Sequence, residues 1–193
     1  MTNQNIVILG ALIGAVGSIS YLIDTIKGKV KPNRVSFILW ALPSLIAFAA
    51  ALKDGGGIET LMTFSVGFFP LLIFFASFVN KKSVWKLSTF DLTCGALSLV
   101  GLVLWLITKE GNLAVLFSII SDGLASIPTV IKAYKHPETE SAWPWMAPVV
   151  GIVMTLYTLP NWTFINSAFI IYVLMVNTLI YVLVQFKIGK RKK

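Results

Sequence analysis

An all-α integral membrane fold is predicted, with seven transmembrane helices arranged as two parallel three-helix bundles joined by a linker helix. Three observations predict it. The 193-residue chain is 56% hydrophobic and only 12% charged, with a mean hydropathy of +0.83; a soluble domain of this size needs about twice that charged fraction to cover its surface. Seven apolar runs reach or approach the length that crosses a hydrocarbon core of about 30 Å at 1.5 Å per residue. One segment is also written twice: residues 26–43 read IKGKVKPNRVSFILWALP, and residues 131–148 read IKAYKHPETESAWPWMAP.

At a fixed offset of 105 those two segments coincide at six positions: Ile26/Ile131, Lys27/Lys132, Pro32/Pro137, Ser36/Ser141, Trp40/Trp145 and Pro43/Pro148. Ordinary composition gives roughly one or two chance matches in such a window. Pro inside an apolar run is costly, which makes its repetition informative. An internal repeat in a membrane protein points toward a transporter.

The first run, 5–26, opens MTNQN without a basic n-region, and no small-residue cleavage site follows. It is expected to be a retained helix and not a signal peptide. Gly10, Gly14 and Gly17 line it at spacings of 4 and 3, a small-residue track for close helix packing. The second run, 35–52, carries Pro43, and the third covers 58–79. The fourth, 88–108, opens Ser88-Thr89-Phe90-Asp91, a capping spacing that accounts for Asp91 structurally. It also holds Cys94, the single cysteine, expected as a small buried hydrophobe, so neither a disulfide framework nor a metal cluster is expected. The fifth, 112–134, carries Asp122 and Pro128; the sixth, 142–160, carries Pro148; the seventh is 164–186.

The basic residues predict the orientation. Lys27, Lys29, Lys31, Arg34, Lys81, Lys82, Lys86, Lys132, Lys135, Lys187, Lys190, Arg191, Lys192 and Lys193 fall on one side of a seven-span chain, and Lys53 and Lys109 on the other. The positive-inside rule then sets the N-terminus outside and the C-terminus in the cytoplasm. The same distribution, in short loops between apolar runs, argues against reading the net charge of +8 as nucleic-acid binding. The basic tail reads as a topology anchor that anionic lipid would contact. The offset lays helix 1 on 5, 2 on 6 and 3 on 7, and the intervening fourth helix restores parity, so the copies are parallel. The expected units are a first three-helix repeat (1–80), a linker helix (81–110) and a second repeat with its basic tail (111–193).

The stretch Ile127-Pro128-Thr129-Val130-Ile131-Lys132, followed by Pro137-Glu138-Thr139-Glu140-Ser141, resembles the signature of the SWEET/PQ-loop transporter superfamily. There a helix ends in a Pro-x-x-x-Lys-like stretch, and a short basic loop leads into a Ser/Thr-Glu-rich helix start. The 3+1+3 layout is similar to that superfamily across the whole chain. SWEET sugar carriers, lysosomal amino-acid exporters, KDEL receptors and nicotinamide-riboside carriers share it. Thr129 stands where the family has Gln, and Ile23-Asp24 replaces the Pro-Gln pair in the first repeat, which leaves the subfamily and the substrate open. The resemblance implies flexing prolines in helices 1, 2, 5 and 6, for which Pro43, Pro128 and Pro148 are the candidates here. It also implies a pocket Asn on helix 7, where Asn177 stands; its mate in the first repeat is Leu72.

Asp122 is the leading candidate from the residues themselves. It falls near the centre of its run, where an ionised carboxylate costs about 2.5 to 3.5 kcal/mol on insertion scales. Ser118, Asp122, Ser126 and Thr129 follow at intervals of 4, 4 and 3, which sets them on one helix face. Such a stripe suits a water-filled cavity, with Asp122 as the proton-coupling group; the other reading is an Asp held neutral against a neighbouring helix. Asn177 is a pocket residue or an interhelical hydrogen bond. Trp40 and Trp145 are pocket or gate aromatics, or part of the interfacial belt, to which Trp143 is assigned. The prolines are hinges or static kinks. Asp24 reads as half of a surface ion pair near Lys27, and His136 as a solvated loop residue.

The function expected is carriage of a small polar solute (sugar, vitamin or amino-acid-like) across the plasma membrane by alternating access, with substrate-binding candidates Asn177, Asp122, Trp40, Trp145, Ser118 and Ser126. No cofactor or metal is expected. No Gly-rich phosphate loop, HExxH or Ser/His/Asp set argues for an enzyme. The alternative is a receptor or sorting protein on the same scaffold that binds without transporting. Oligomeric state stays open.

Overall fold

Each apolar run forms one helix. In the computed structural model, residues 3–53, 60–108, 110–159 and 161–189 are described. Among them are α1 (Asn3–Ile26), α2 (Arg34–Lys53), α3 (Thr60–Ala76), α4 (Thr89–Ile107), α5 (Gly111–Lys135), α6 (Trp143–Tyr157) and α7 (Phe164–Phe186), with 3-10 turns at Lys81–Ser83 and Pro137–Thr139 and no strand. The helix ends fall within a few residues of the expected runs. Lys109 and the tail residues Lys190, Arg191, Lys192 and Lys193, to which part of the charge argument and the anionic-lipid contact were assigned, lie outside the described residues.

Local chemistry sets the boundaries. Ser88 and Asp91 form the expected capping box of α4: Ser88 Oγ accepts from the Asp91 N–H at 3.2 Å, and Asp91 Oδ2 accepts from the Ser88 N–H at 2.6 Å. Asp91 Oδ1 also accepts from Asn33 Nδ2 at 3.0 Å. Asn33 Oδ1 in turn accepts from the N–H of Val35 at 3.1 Å, so one amide starts α2 and fastens it to α4. Arg34 donates to Ser77 Oγ and to the Ser77 carbonyl, both at 2.8 Å, satisfying a backbone oxygen at the end of α3.

The helices pack with α1 along α6, α2 along α3 and α4 along α5. α5 and α6 both rest on α7, α1 touches α3, and α2 touches α4 and α5. Small residues bring α1 and α6 together: a Cβ added at Gly10 would lie 2.9 Å from the Gly151 carbonyl oxygen, and one at Gly17 would run into Ala147. The expectation that all three glycines serve this contact is corrected at Gly14, where an added Cβ meets nothing within 4 Å. Asp24 pairs with Lys29 at 3.5 Å, not with Lys27, and accepts from Ser141 Oγ at 2.7 Å, joining α1 to the connection before α6.

The buried core gathers near the basic connections, around Tyr21, Val30, Phe37, Ile73, Trp145 and Ile180. Elsewhere large apolar side chains point outward, among them Leu12, Val16, Val100, Ile107 and Met175, each more than half exposed. Water would not tolerate so continuous an apolar surface on a monomer, whereas lipid tails match it. Four helices, over Asn5–Ile26, Thr89–Ile107, Gly111–Lys135 and Phe164–Phe186, are long and apolar enough to cross a membrane. Three shorter apolar helices, Arg34–Ala49, Phe64–Ala76 and Trp143–Tyr157, accompany them. These features mark an all-α, membrane-associated protein.

Candidate functional site

Asp122 sits at the middle of α5, turned toward α2 and α7. Its Oδ2 accepts from the Tyr172 hydroxyl at 2.7 Å and from Ser126 Oγ, one helical turn on, at 3.2 Å. Ser126 Oγ accepts in turn from the Trp40 indole Nε1 at 3.3 Å. The carboxylate is thus held by neutral donors from three helices. The other described acids in ion pairs are Asp24 with Lys29, Glu138 with His136 and Glu140 with Lys132, while Asp91 has the N-terminus of α4. Asp122 lies far from any helix end and has no ion-pair partner among the described residues.

Asp122, Ser126 and Trp40 line a cavity of about 580 Å³ between α1, α2, α3, α4, α5, α6 and α7, within the range of small-molecule sites. Trp40, Ser118, Asp122, Ser126, Trp145 and Asn177 all face it, as do Pro43 and Pro148. Four rings close the end nearest the basic connections. Tyr21 packs on Phe37 with centroids 5.2 Å apart, Phe37 on Trp40 at 5.1 Å, Trp40 edge-on to Trp145 at 6.0 Å, and Tyr21 edge-on to Trp145 at 5.8 Å. From this floor the cavity runs toward Ala47, Val115 and Phe169, near the opposite ends of α2, α5 and α7. Trp143, assigned to the belt, is half exposed and stands apart from the cavity lining.

Behind the floor lies a buried charge pair. Lys132 Nζ and Glu140 form a salt bridge with both side chains almost wholly removed from solvent. Lys132 also donates to the Lys31 carbonyl ahead of α2. Glu140 Oε2 accepts from the Tyr21 hydroxyl at 2.9 Å and from Trp145 Nε1 at 3.2 Å. A single carboxylate therefore holds two of the four floor rings, Tyr21 and Trp145, by their polar edges and ties α1, α5 and α6 together. The two charges neutralise each other and the carboxylate collects further donors from Tyr21 and Trp145, the condition under which a buried pair is tolerated.

Two of the sequence candidates stand elsewhere. Thr129, last of the α5 stripe, is fully buried and donates to Ser36 Oγ at 2.8 Å, so the polar face ends in the α2 contact. Pro128 borders a separate hollow of about 360 Å³ with Trp85, Lys86, Asp91 and Lys135. Asn177 faces the cavity, but its Nδ2 donates to the Val173 carbonyl one turn back at 2.9 Å, not to another helix.

The polar lining is largely turned inward on the protein. Ser18 donates to the Gly14 carbonyl at 3.1 Å, Ser118 to Val115 at 2.7 Å and Ser121 to Ser98 at 2.8 Å. Tyr21 and Trp145 are committed to Glu140, and Trp40 and Ser126 to the Asp122 chain. The lining includes Asp122 and, among the described residues, no Lys, Arg or His.

Sequence reasoning missed Tyr21, Tyr172, Lys132 and Glu140. Lys132 and Glu140 stand inside the stretch that carries the family resemblance, but charges beside a loop read as solvated. The tyrosines sit in apolar runs, where an aromatic residue reads as packing. Comparison with protein-family models, curated proteins and solved structures found no match for the chain.

Proposed function

We propose that this chain is a multi-pass carrier of the plasma membrane, of the SWEET/PQ-loop kind, which moves a small polar solute by alternating access. The observation that carries the reading is the cavity: it lies inside an apolar helical bundle, is lined from both copies of the sequence repeat, and is shut at one end by matched aromatic and charged groups. The helix packing supports a parallel 3+1+3 duplication in its pattern, though not in the extent of each contact. α1 and α2 meet α3 as α5 and α6 meet α7, and the contact of α1 with α6 has its counterpart in α5 with α2. In this reading the two halves rock about Pro43 and Pro148, and the floor of Tyr21, Phe37, Trp40 and Trp145 is the cytoplasmic gate. Asp122 exchanges a proton or meets the solute directly.

Counterflow of labelled solute in proteoliposomes tests the carrier. Uptake against an unlabelled internal load supports it, and binding without movement turns the reading into a receptor on the same scaffold. Proton coupling is tested separately: an Asp122→Asn variant that keeps both the rate and the pH dependence of transport would exclude it.

A further inference from the structure

A cavity that has used most of its own donors favours a ligand that brings donors or positive charge. Among the described lining residues the Ser44 hydroxyl, the Trp105 indole N–H and the second N–H of the Asn177 amide are the donors without a partner in the protein. What the walls still offer is acceptors: the Asp122 carboxylate, serine oxygens and the Asn177 carbonyl. A polyhydroxylated neutral solute such as a sugar needs both donors and acceptors around it, and buried polar groups left unmatched weaken binding. An anion meets no cation here, since Lys132 lies behind the floor and is neutralised by Glu140.

The remaining surface is apolar, with a large aromatic share. Trp40, Trp145 and Trp105 line the cavity with Tyr21, Phe37 and Phe169. Indole and phenyl faces attract cations, most strongly where water is excluded, and such cages are the known means of holding quaternary ammonium groups. A carboxylate with no cation partner at the same depth completes the arrangement, because a charge inside an apolar bundle is stabilised by an opposite charge.

We infer that the cavity takes a small organic monocation, an ammonium, amidinium or pyridinium on an apolar or aromatic body, with its charge at Asp122 and its body against Trp40 and Trp145. This deepens the carrier reading and rests on it for passage across the membrane, though not for binding. A zwitterion is disfavoured, since its carboxylate would find no basic residue among the described lining.

The test uses the purified full chain in detergent and pairs of matched probes. Choline is compared with its neutral carbon isostere 3,3-dimethylbutan-1-ol, and benzamidine with benzamide, by thermal shift and by competition for one labelled cation. The expected result is stabilisation by both cations, at least tenfold weaker binding of each neutral partner, and at least tenfold weaker cation binding in Asp122→Asn. The isostere comparison needs no variant, so it decides the matter even if Asp122→Asn fails to fold. Equal binding of the neutral partners, or stabilisation by sugars or anions alone, overturns the inference. Counterflow keeps the two readings apart. Cation binding without movement sinks the carrier and leaves the monocation site, and movement of a neutral solute with no cation binding does the reverse.

Discussion

Lys132 and Glu140 neutralise each other where neither meets water. Removing one partner strands the other, and for buried pairs that costs about 3–5 kcal/mol, whereas apolar replacement of both is far milder. Lys132→Met and Glu140→Gln are therefore expected each to lower the unfolding midpoint in detergent by many degrees. The double variant Lys132→Met/Glu140→Leu is expected to be more stable than either single change. If the effects of the single changes simply add, the pair is not the unit described. Residues of this kind explain what sequence could and could not reveal of the site. Asp122 stood out because a carboxylate in an apolar run is costly, whether it serves a cavity or is held neutral against a neighbouring helix. Trp40 and Trp145 were legible because they repeat. Glu140 is one of several charges around a connection, and only the fold shows that the 3-10 turn at Pro137–Thr139 carries it inward against Tyr21 and Trp145. Tyr172 depends on how α7 is rotated against α5, which the sequence of α7, apolar on nearly all sides, does not specify.

Among the helices, the most extensive contact is that of α1 with α6, and it tells the glycines of α1 apart. Valine at Gly10 would drive a side chain into the Gly151 backbone, an overpacking expected to cost about 1–3 kcal/mol. Alanine at Gly14 enters open space and is expected to stay within about 0.5 kcal/mol of the parent. Thermal unfolding of Gly10→Val and Gly14→Ala side by side checks this; equal losses would remove the distinction. The helices themselves were readable to within a few residues, because a long apolar run is bounded by charge, Pro or a cap. The assignment of all three glycines to one seam failed for a simple reason. Spacing says which residues share a face, but not how far along that face the neighbouring helix stays close.

For the whole molecule, the proposed topology sets the connections on defined sides. Glu110 and Asn161 are exposed on the weakly charged side, and Lys82 on the basic side. Cys94, the only cysteine of the chain, is buried, which gives a quiet background for labelling. In intact cells a membrane-impermeant maleimide is expected to label Glu110→Cys and Asn161→Cys, and to label Lys82→Cys only after permeabilisation. The opposite pattern would invert the orientation and with it the direction in which the ring floor faces. The all-helical, apolar character was legible because it is a property of the chain as a whole, and the repeat at an offset of 105 and the spacing of the lysines carry the proposed topology. The cavity was not legible, since its volume depends on side chains from all seven helices at once.

The bare backbone contact of Gly10 with Gly151 has one more consequence. It joins α1 and α6 with no side chain whose rotamer would have to change if, as proposed, the two halves tilt, and so it would act as a fulcrum. A lever moves least at its fulcrum and most at its ends. Spin labels near the α1–α6 crossing should then keep one separation through the cycle, while labels on the two connections beyond the ring floor report two.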